Sequence, residues 1–315
     1  MNVVVYHIFC VGDYLDVVNK QVTRIKESGL YEWVDSIYVS CVDINGEYLG
    51  IDELFEGMDK VNLFKTTQNH YEWWGISKVW ELSQHNEGKV LYLHTKGVSN
   101  KYVKIGHDEI SDLKVKGISW WKEMLEYFVI DNWRQCVDAL DNVDNCGATC
   151  INGWWWGNFW WANLSWTKNN QQPVQADRWY FEAWVNFART PKIKEFYHFT
   201  FNPYFSILPD DLYRVDNWYQ GKNVEIIYGE YGVFGIQQDE GQFYQEKTVV
   251  DVTDILIKNF EENNKKSLQI RAHNELKGDP IFGHRKFLII KLKADEEILQ
   301  YCVNEGMNLE LIFER

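Results

Sequence analysis

Three short segments of the chain hold residues whose types and spacing could do chemistry. The first reads Val90-Leu91-Tyr92-Leu93-His94-Thr95-Lys96-Gly97-Val98-Ser99. An apolar run that breaks into polar residues and a glycine describes a buried strand ending at the rim of a sheet. Side chains alternate along an extended chain, so His94 and Lys96 share one face and Thr95 takes the other. Lysine is a compact cation suited to phosphate, and histidine can donate to phosphate or ligate a metal. A surface turn with solvated charges would carry the same residues.

The second segment, Gly153-Trp154-Trp155-Trp156-Gly157-Asn158-Phe159-Trp160-Trp161-Ala162-Asn163, has more indole than one strand face can bury. Some of these rings belong in a core. Others suit a pocket in which aromatic faces stack on sugar C–H groups while Asn158 bonds hydroxyls. The third segment, Ala176-Asp177-Arg178-Trp179-Tyr180-Phe181-Glu182-Ala183-Trp184, reads as a helix start after Pro173. Asp177 suits the cap. Asp177 or Glu182, buried among aromatic rings, could have a raised pKa and act as a general base. Capping alone for Asp177 and a solvated charge for Glu182 fit the spacing equally well.

Other chemistries lack their patterns. The dinucleotide fingerprint, the Walker loop and the Gly-x-Ser-x-Gly elbow do not occur, which argues against NAD enzymes, P-loop NTPases and α/β-hydrolases. The eight histidines form no tight metal cluster in sequence, and Cys146-x3-Cys150 has no second pair at zinc spacing. A net charge of −14, from 46 acidic against 32 basic residues, repels nucleic acid and anionic lipid. With 45% hydrophobic and 25% charged residues, the composition is that of a globular protein rather than a disordered one. The longest apolar run, residues 3–11, falls short of the roughly 20 residues a bilayer needs, and it lacks a basic flank or cleavage site. The expectation is a chain without a membrane span, in a reducing cytoplasm.

The elements that must position these segments follow from periodicity. Residues 3–10 read as a strand, then a helix on Leu15, Val18, Val22 and Ile25, stopped by Gly29. Strands at 36–42 and 61–64 follow, then a helix over 71–85 and a strand over 90–93. This alternation predicts an α/β domain with a mostly parallel sheet, whose ligands lie beyond the carboxyl ends of the strands. All 16 tryptophans lie between Trp33 and Trp218, and four of the five prolines fall just before the change. That break sets a division into residues 1–215 and 216–315. The second part, with alternating Leu268, Ile270 and Ala272, alternating Leu309, Leu311 and Phe313, a dense strand over 287–290 and a helix over 253–260, reads as a small, mostly β domain. Gly229, Gly232, Gly235, Gly278 and Gly283 punctuate it.

Taken together, the segments LYLHTKGVS (91–99), GNFWWA (157–162) and DRWYFEAW (177–184), with Trp133, Arg134, Cys136, Leu140 and Cys146-Gly147, make the chain similar to GT-A-type glycosyltransferases of large algal DNA viruses and bacterial surface-polysaccharide loci. The resemblance implies a GT-A-like nucleotide-binding domain that moves a sugar from a nucleotide-sugar donor to a carbohydrate acceptor. It puts the nucleotide near Phe9, Cys10, Val11 and Asp43. It puts Asn158, Trp160, Trp161 and Arg178 against sugar, and it makes Asp177 the first choice for the base, with Glu182 second. The family's Asp-x-Asp, which holds Mn²⁺ or Mg²⁺ on the diphosphate, is replaced here by His94-Thr95-Lys96. Lys96 and His94 would then neutralise the diphosphate directly, in an enzyme with little or no need of a metal. A lectin-like protein without turnover and an inactive scaffold are the competing readings.

Overall fold

The computed structural model describes residues 1–98, 108–187, 189–234, 247–281 and 284–314; Ser99, Gly235 and Gly283 lie outside the described residues. The chain divides into two compact units, Met1–Ser99 with Met124–His198, and Asn100–Glu123 with Phe199–Arg315.

The first unit alternates as its hydrophobic pattern requires. In order it contains β1 (Asn2–Phe9), α1 (Tyr14–Glu27), α2 (Leu30–Trp33), β2 (Ser36–Val42), α3 (Ile51–Leu54), β3 (Val61–Thr66), α4 (Trp73–His85) and β4 (Lys89–His94). Helix α5 (Asp108–Glu126), most of which belongs to the second unit, runs into a π-helical turn over Tyr127–Asp131 and then α6 (Trp133–Ala139). Then come β5 (Asn145–Gly147), β6 (Cys150–Ile151), β7 (Trp154–Trp155), β8 (Trp160–Asn163), α7 (Leu164–Thr167), α8 (Arg178–Ala183) and β9 (Ile193–Glu195). Seven strands form one sheet in the order β3-β2-β1-β4-β8-β5-β9. Strands β1 to β4 are mutually parallel where they pair, and β8 runs antiparallel to both β4 and β5. The carboxyl ends of β1, β2 and β4 therefore meet the start of β8 at one edge.

Alternation on β8 explains how the tryptophan-rich segment is buried. Trp160 stacks on Tyr92 at 5.2 Å, in the face that packs against Ile76 and Val79 of α4 and Phe181 of α8. Trp161 points through the opposite face, 6.0 Å from Trp33, and its indole N–H reaches Val129 O at 2.8 Å. Gly75 lets α4 come down on this sheet. A Cβ there would sit 2.8 Å from the Tyr92 ring and 3.2 Å from His7 Cβ.

The second unit contains β10 (Val224–Phe234), β11 (Lys247–Asp251), α9 (Thr253–Glu262), β12 (Ser267–Arg271), β13 (Phe287–Ala294), β14 (Glu297–Asn304) and β15 (Asn308–Ile312). An antiparallel sheet in the order β11-β10-β13-β14 accompanies the β12-β15 pair. The mostly β character matches the sequence reading, but the expected junction at 215/216 is not where the chain divides. The proline-marked stretch from Phe199 onward belongs to the second unit because its aromatic rings enclose Trp120 and Trp121. Trp120 lies 5.9 Å from Phe201 and 5.7 Å from Tyr213, and donates to Pro209 O at 2.9 Å. Trp121 lies 5.0 Å from Tyr204. Among the described residues, no helix is long and apolar enough to cross a membrane.

Candidate functional site

The sheet places five of the sequence-selected residues on one edge. Phe9 ends β1 with Val11 two residues beyond it, Asp43 follows β2, and His94 ends β4 with Lys96 two residues beyond it. Strands β1 and β4 are tied there by Phe9 N donating to Thr95 Oγ1 at 3.0 Å and Thr95 N donating to His7 O at 3.0 Å. Asp43 serves the backbone around it. Its carboxylate accepts from the amides of Asn45, Glu47 and Tyr48 at 2.9, 3.2 and 2.8 Å and closes the loop after β2. Lys96 is buried, as the alternation argument does not require.

Asn158 enters the same edge from the start of β8, fully buried. Its Oδ1 accepts from the Trp160 indole N–H at 2.7 Å. An indole only donates, so the amide is oriented: Asn158 Nδ2 must face the other way. There it donates to Glu72 Oε2, which also accepts from Tyr92 OH at 3.0 Å. Glu72 stands just before α4, between Tyr71 and Trp73, and was not among the residues the sequence singled out. The local pattern makes it an ordinary acid at a helix start. Its partner Asn158 is 86 positions away, so no local signal marks it.

Burial pushes the Glu72 carboxyl up to about 7, against the opposing pull of the Asn158 hydrogen bond, Lys96, the Tyr92 hydrogen bond and Arg178. With Oε2 taking two donors, the proton of the neutral form belongs on Oε1, which faces His94 Nε2 at 3.9 Å. Glu182, half-buried on α8, is raised in the same way by burial and by the Glu72 charge, while Lys96 and Arg178 lower it. No hydrogen bond to its carboxylate is found among the described residues. The charges of Lys96 and Arg178 thus act on both carboxylates, of which Glu72 stands beside His94 at the edge. Tyr71 and Asn158 hold left-handed conformations, with φ of 52° and 55°, as do six other non-glycine residues among those described. Each costs on the order of 1–3 kcal/mol, and such residues cluster at functional sites.

Two expectations are corrected by this geometry, those for His94 and for the Trp160 and Trp161 rings, and Asp177 and Arg178 are placed at the start of α8. His94 is not a cation: burial, then Lys96, lowers its pKa to about 3. A carbonyl only accepts, so Nε2 at 2.9 Å from Gly157 O carries the proton, and the neutral ring holds the Gly157-Asn158 turn instead of neutralising phosphate. Trp160 and Trp161 have no exposed surface, so neither ring can stack on a sugar; Trp160 instead fixes the Asn158 amide. Asp177 is exposed and caps α8, its Oδ1 accepting from the amides of Trp179 and Tyr180 at 3.0 and 3.2 Å. Arg178, also exposed, lies over the Trp179 ring at 4.3 Å and acts on Glu72 and Glu182 through space.

The described residues contain no group of three or more His, Cys, Asp or Glu side chains arranged to hold a metal ion. Where the resemblance puts an Asp-x-Asp stand a neutral histidine, already committed to Gly157, and an ammonium that repels a divalent cation. The residues at that strand end do not fit Mn²⁺ or Mg²⁺, and no step is drawn through one. No family model matches the chain, and no curated protein matches it.

Proposed function

We propose that the first unit is a GT-A-like nucleotide-binding domain and that the chain is a glycosyltransferase using a nucleotide-sugar donor and a carbohydrate acceptor. The observation that carries this reading is the meeting of Glu72 and Asn158 beside His94 at the carboxyl edge of a mostly parallel sheet, within electrostatic reach of Lys96, Arg178 and Glu182. Strand order reverses between β1 and β4, and open α/β sheets bind ligands outside the carboxyl ends at such a switch point.

Each residue then has a role that its chemistry suits. Lys96 meets the diphosphate and neutralises the charge that grows as the sugar–phosphate bond breaks. Glu182, with a raised pKa, takes the proton of the acceptor hydroxyl as that oxygen bonds to the anomeric carbon. The nucleoside diphosphate leaves with the electron pair of the broken C–O bond. Glu72 is a positioning residue that holds Asn158 and keeps the proton affinity of Glu182 high. Arg178 shares the work of charge balance.

The test is ligand-dependent stability. A nucleoside diphosphate at a hundred times its Kd should stabilise the fold by about 2.7 kcal/mol, seen as a raised Tm, and Lys96→Ala should remove that shift. If no uridine, guanosine or thymidine diphosphate or diphosphosugar raises Tm, and none is hydrolysed or transferred, the reading falls.

A further inference from the structure

Helix α4 carries two stripes. Ile76, Val79 and Leu82 face the sheet core. Trp74, Ser77, Lys78 and Glu81, at i, i+3, i+4 and i+7, lie along a second face that looks over β2 and β3. Strand register puts Tyr38 opposite Asn62 and Ser40 opposite Phe64 on the same side of the sheet. Between that stripe and those strands lies a cavity of 640 Å³, within the roughly 300–1,000 Å³ of small-molecule sites.

We propose that this trough binds a neutral carbohydrate, at a site separate from the β4–β8 edge. Its walls have the composition such a ligand needs. Trp73, Trp74, Tyr38 and Phe64 supply aromatic surface, and Phe64 remains 47% exposed although it packs on Trp74 at 5.0 Å. Rings presented like this attract the apolar C–H face of a sugar. The hydroxyl of Ser77 is buried with no hydrogen-bond partner among the described residues, a state that is costly until something bonds it. A purely apolar occupant would leave that cost in place, whereas a sugar hydroxyl removes it. Charge selects against an anion: the Lys78 ammonium lies 2.7 Å from Glu81 Oε2, so the wall has no surplus positive charge for phosphate. Asn62, whose Nδ2 donates to Lys60 O at 3.3 Å, also lines the trough.

This inference does not rest on the transferase reading, and its test separates the two. The full chain is titrated, by saturation-transfer NMR and tryptophan fluorescence, with glucose, galactose, mannose, xylose, N-acetylglucosamine and their linear tetramers at millimolar concentration. At least one should bind. Trp74→Leu, which keeps apolar bulk, should weaken it about tenfold. Ser77→Ala should weaken it about fivefold while leaving Tm unchanged or higher, because the orphaned hydroxyl is gone. Lys96→Ala should bind the sugar as the wild type does, even as it loses nucleoside diphosphate. The proposal is overturned if no saccharide binds, if binding is undiminished in both Trp74→Leu and Ser77→Ala, or if free nucleoside displaces the sugar from the trough.

Discussion

Two buried lysines in this chain lie near pairs of carboxylates, and the carboxylates around them differ in what they touch. In the second unit, Lys286 has a side chain 3% exposed, and its ammonium is 3.0 Å from Asp279 Oδ1 and 3.4 Å from Glu305 Oε1. The same ammonium donates to His284 O at 2.9 Å, and Glu305 also accepts from Tyr231 OH at 3.0 Å. Charge there is cancelled at contact. In the first unit, Lys96 acts on Glu72 and Glu182 through space, while the hydrogen bonds Glu72 receives come from the neutral donors Asn158 and Tyr92. Cancellation at contact fixes geometry and leaves nothing over. Around Lys96, Glu72 and Glu182 keep a raised proton affinity, and carboxylates of that kind are what a reaction can use.

That contrast breaks if the two clusters respond alike to mutation. The largest effect belongs to Glu182→Gln. If Glu182 is the base of the proposed transfer, its loss should lower transfer by roughly 10²–10⁴-fold. Tm should hold or rise, because a half-buried charge disappears. Single-turnover kinetics beside a melting curve measures both, and a variant that transfers normally removes Glu182 from the chemistry. Lys286→Met should do the reverse. It strands two carboxylates with no cation in contact, so it should cost about 3–5 kcal/mol in urea unfolding. Nucleoside-diphosphate affinity per folded molecule should not change.

How far the sequence reveals this edge depends on how local each interaction is. The strand–helix alternation, the end of β4 at His94 and the helix over 73–85 all arise from patterns within a dozen residues, and they are legible. Charge state is not. His94 loses its cation character through burial and through Lys96, and neither is visible in a residue list. The tryptophans mislead for a similar reason: adjacent residues on β8 point to opposite faces, so Trp160 and Trp161 each reach a different half of the core. Glu72 is invisible because its significance comes from Asn158 and Tyr92, which the fold delivers from β8 and β4. Trp74 and Phe64 attract no notice singly. They become a site only when β3 and α4 are brought side by side.

A pH series sharpens the same comparison. Glu72 is raised from its ordinary 4.5 to about 7, so the folded chain keeps a proton that the unfolded chain releases between those values. The stability tied to that proton is full below pH 4.5 and is lost as pH rises through 7. Glu72→Gln cannot ionise and escapes the loss. The variant should match the wild type in urea unfolding at pH 4.5 and exceed it by on the order of 3 kcal/mol at about pH 8. His7 and His94, both lowered to about 3 by burial, act with the opposite sign, destabilising the fold as pH falls below 6.5. Both chains carry them, so they cancel in the difference. A flat difference across this range means that Glu72 is compensated as fully as Glu305, and the contrast between the clusters is gone.

The smallest effect decides between the two acids on α8. Asp177 accepts from the Trp179 and Tyr180 amides, and truncating such a cap to alanine costs about 1 kcal/mol. Asparagine caps as well as aspartate, so Asp177→Asn should cost nothing. If capping is the whole role, Asp177→Ala lowers Tm slightly with transfer unchanged per folded molecule, and Asp177→Asn changes neither. If Asp177 were the base, the ranking would invert: Asp177→Asn, stable and correctly capped, would lose transfer as completely as the alanine variant. The asparagine variant is therefore the decisive one, since it separates a carboxylate needed for its proton affinity from an oxygen needed only as an acceptor.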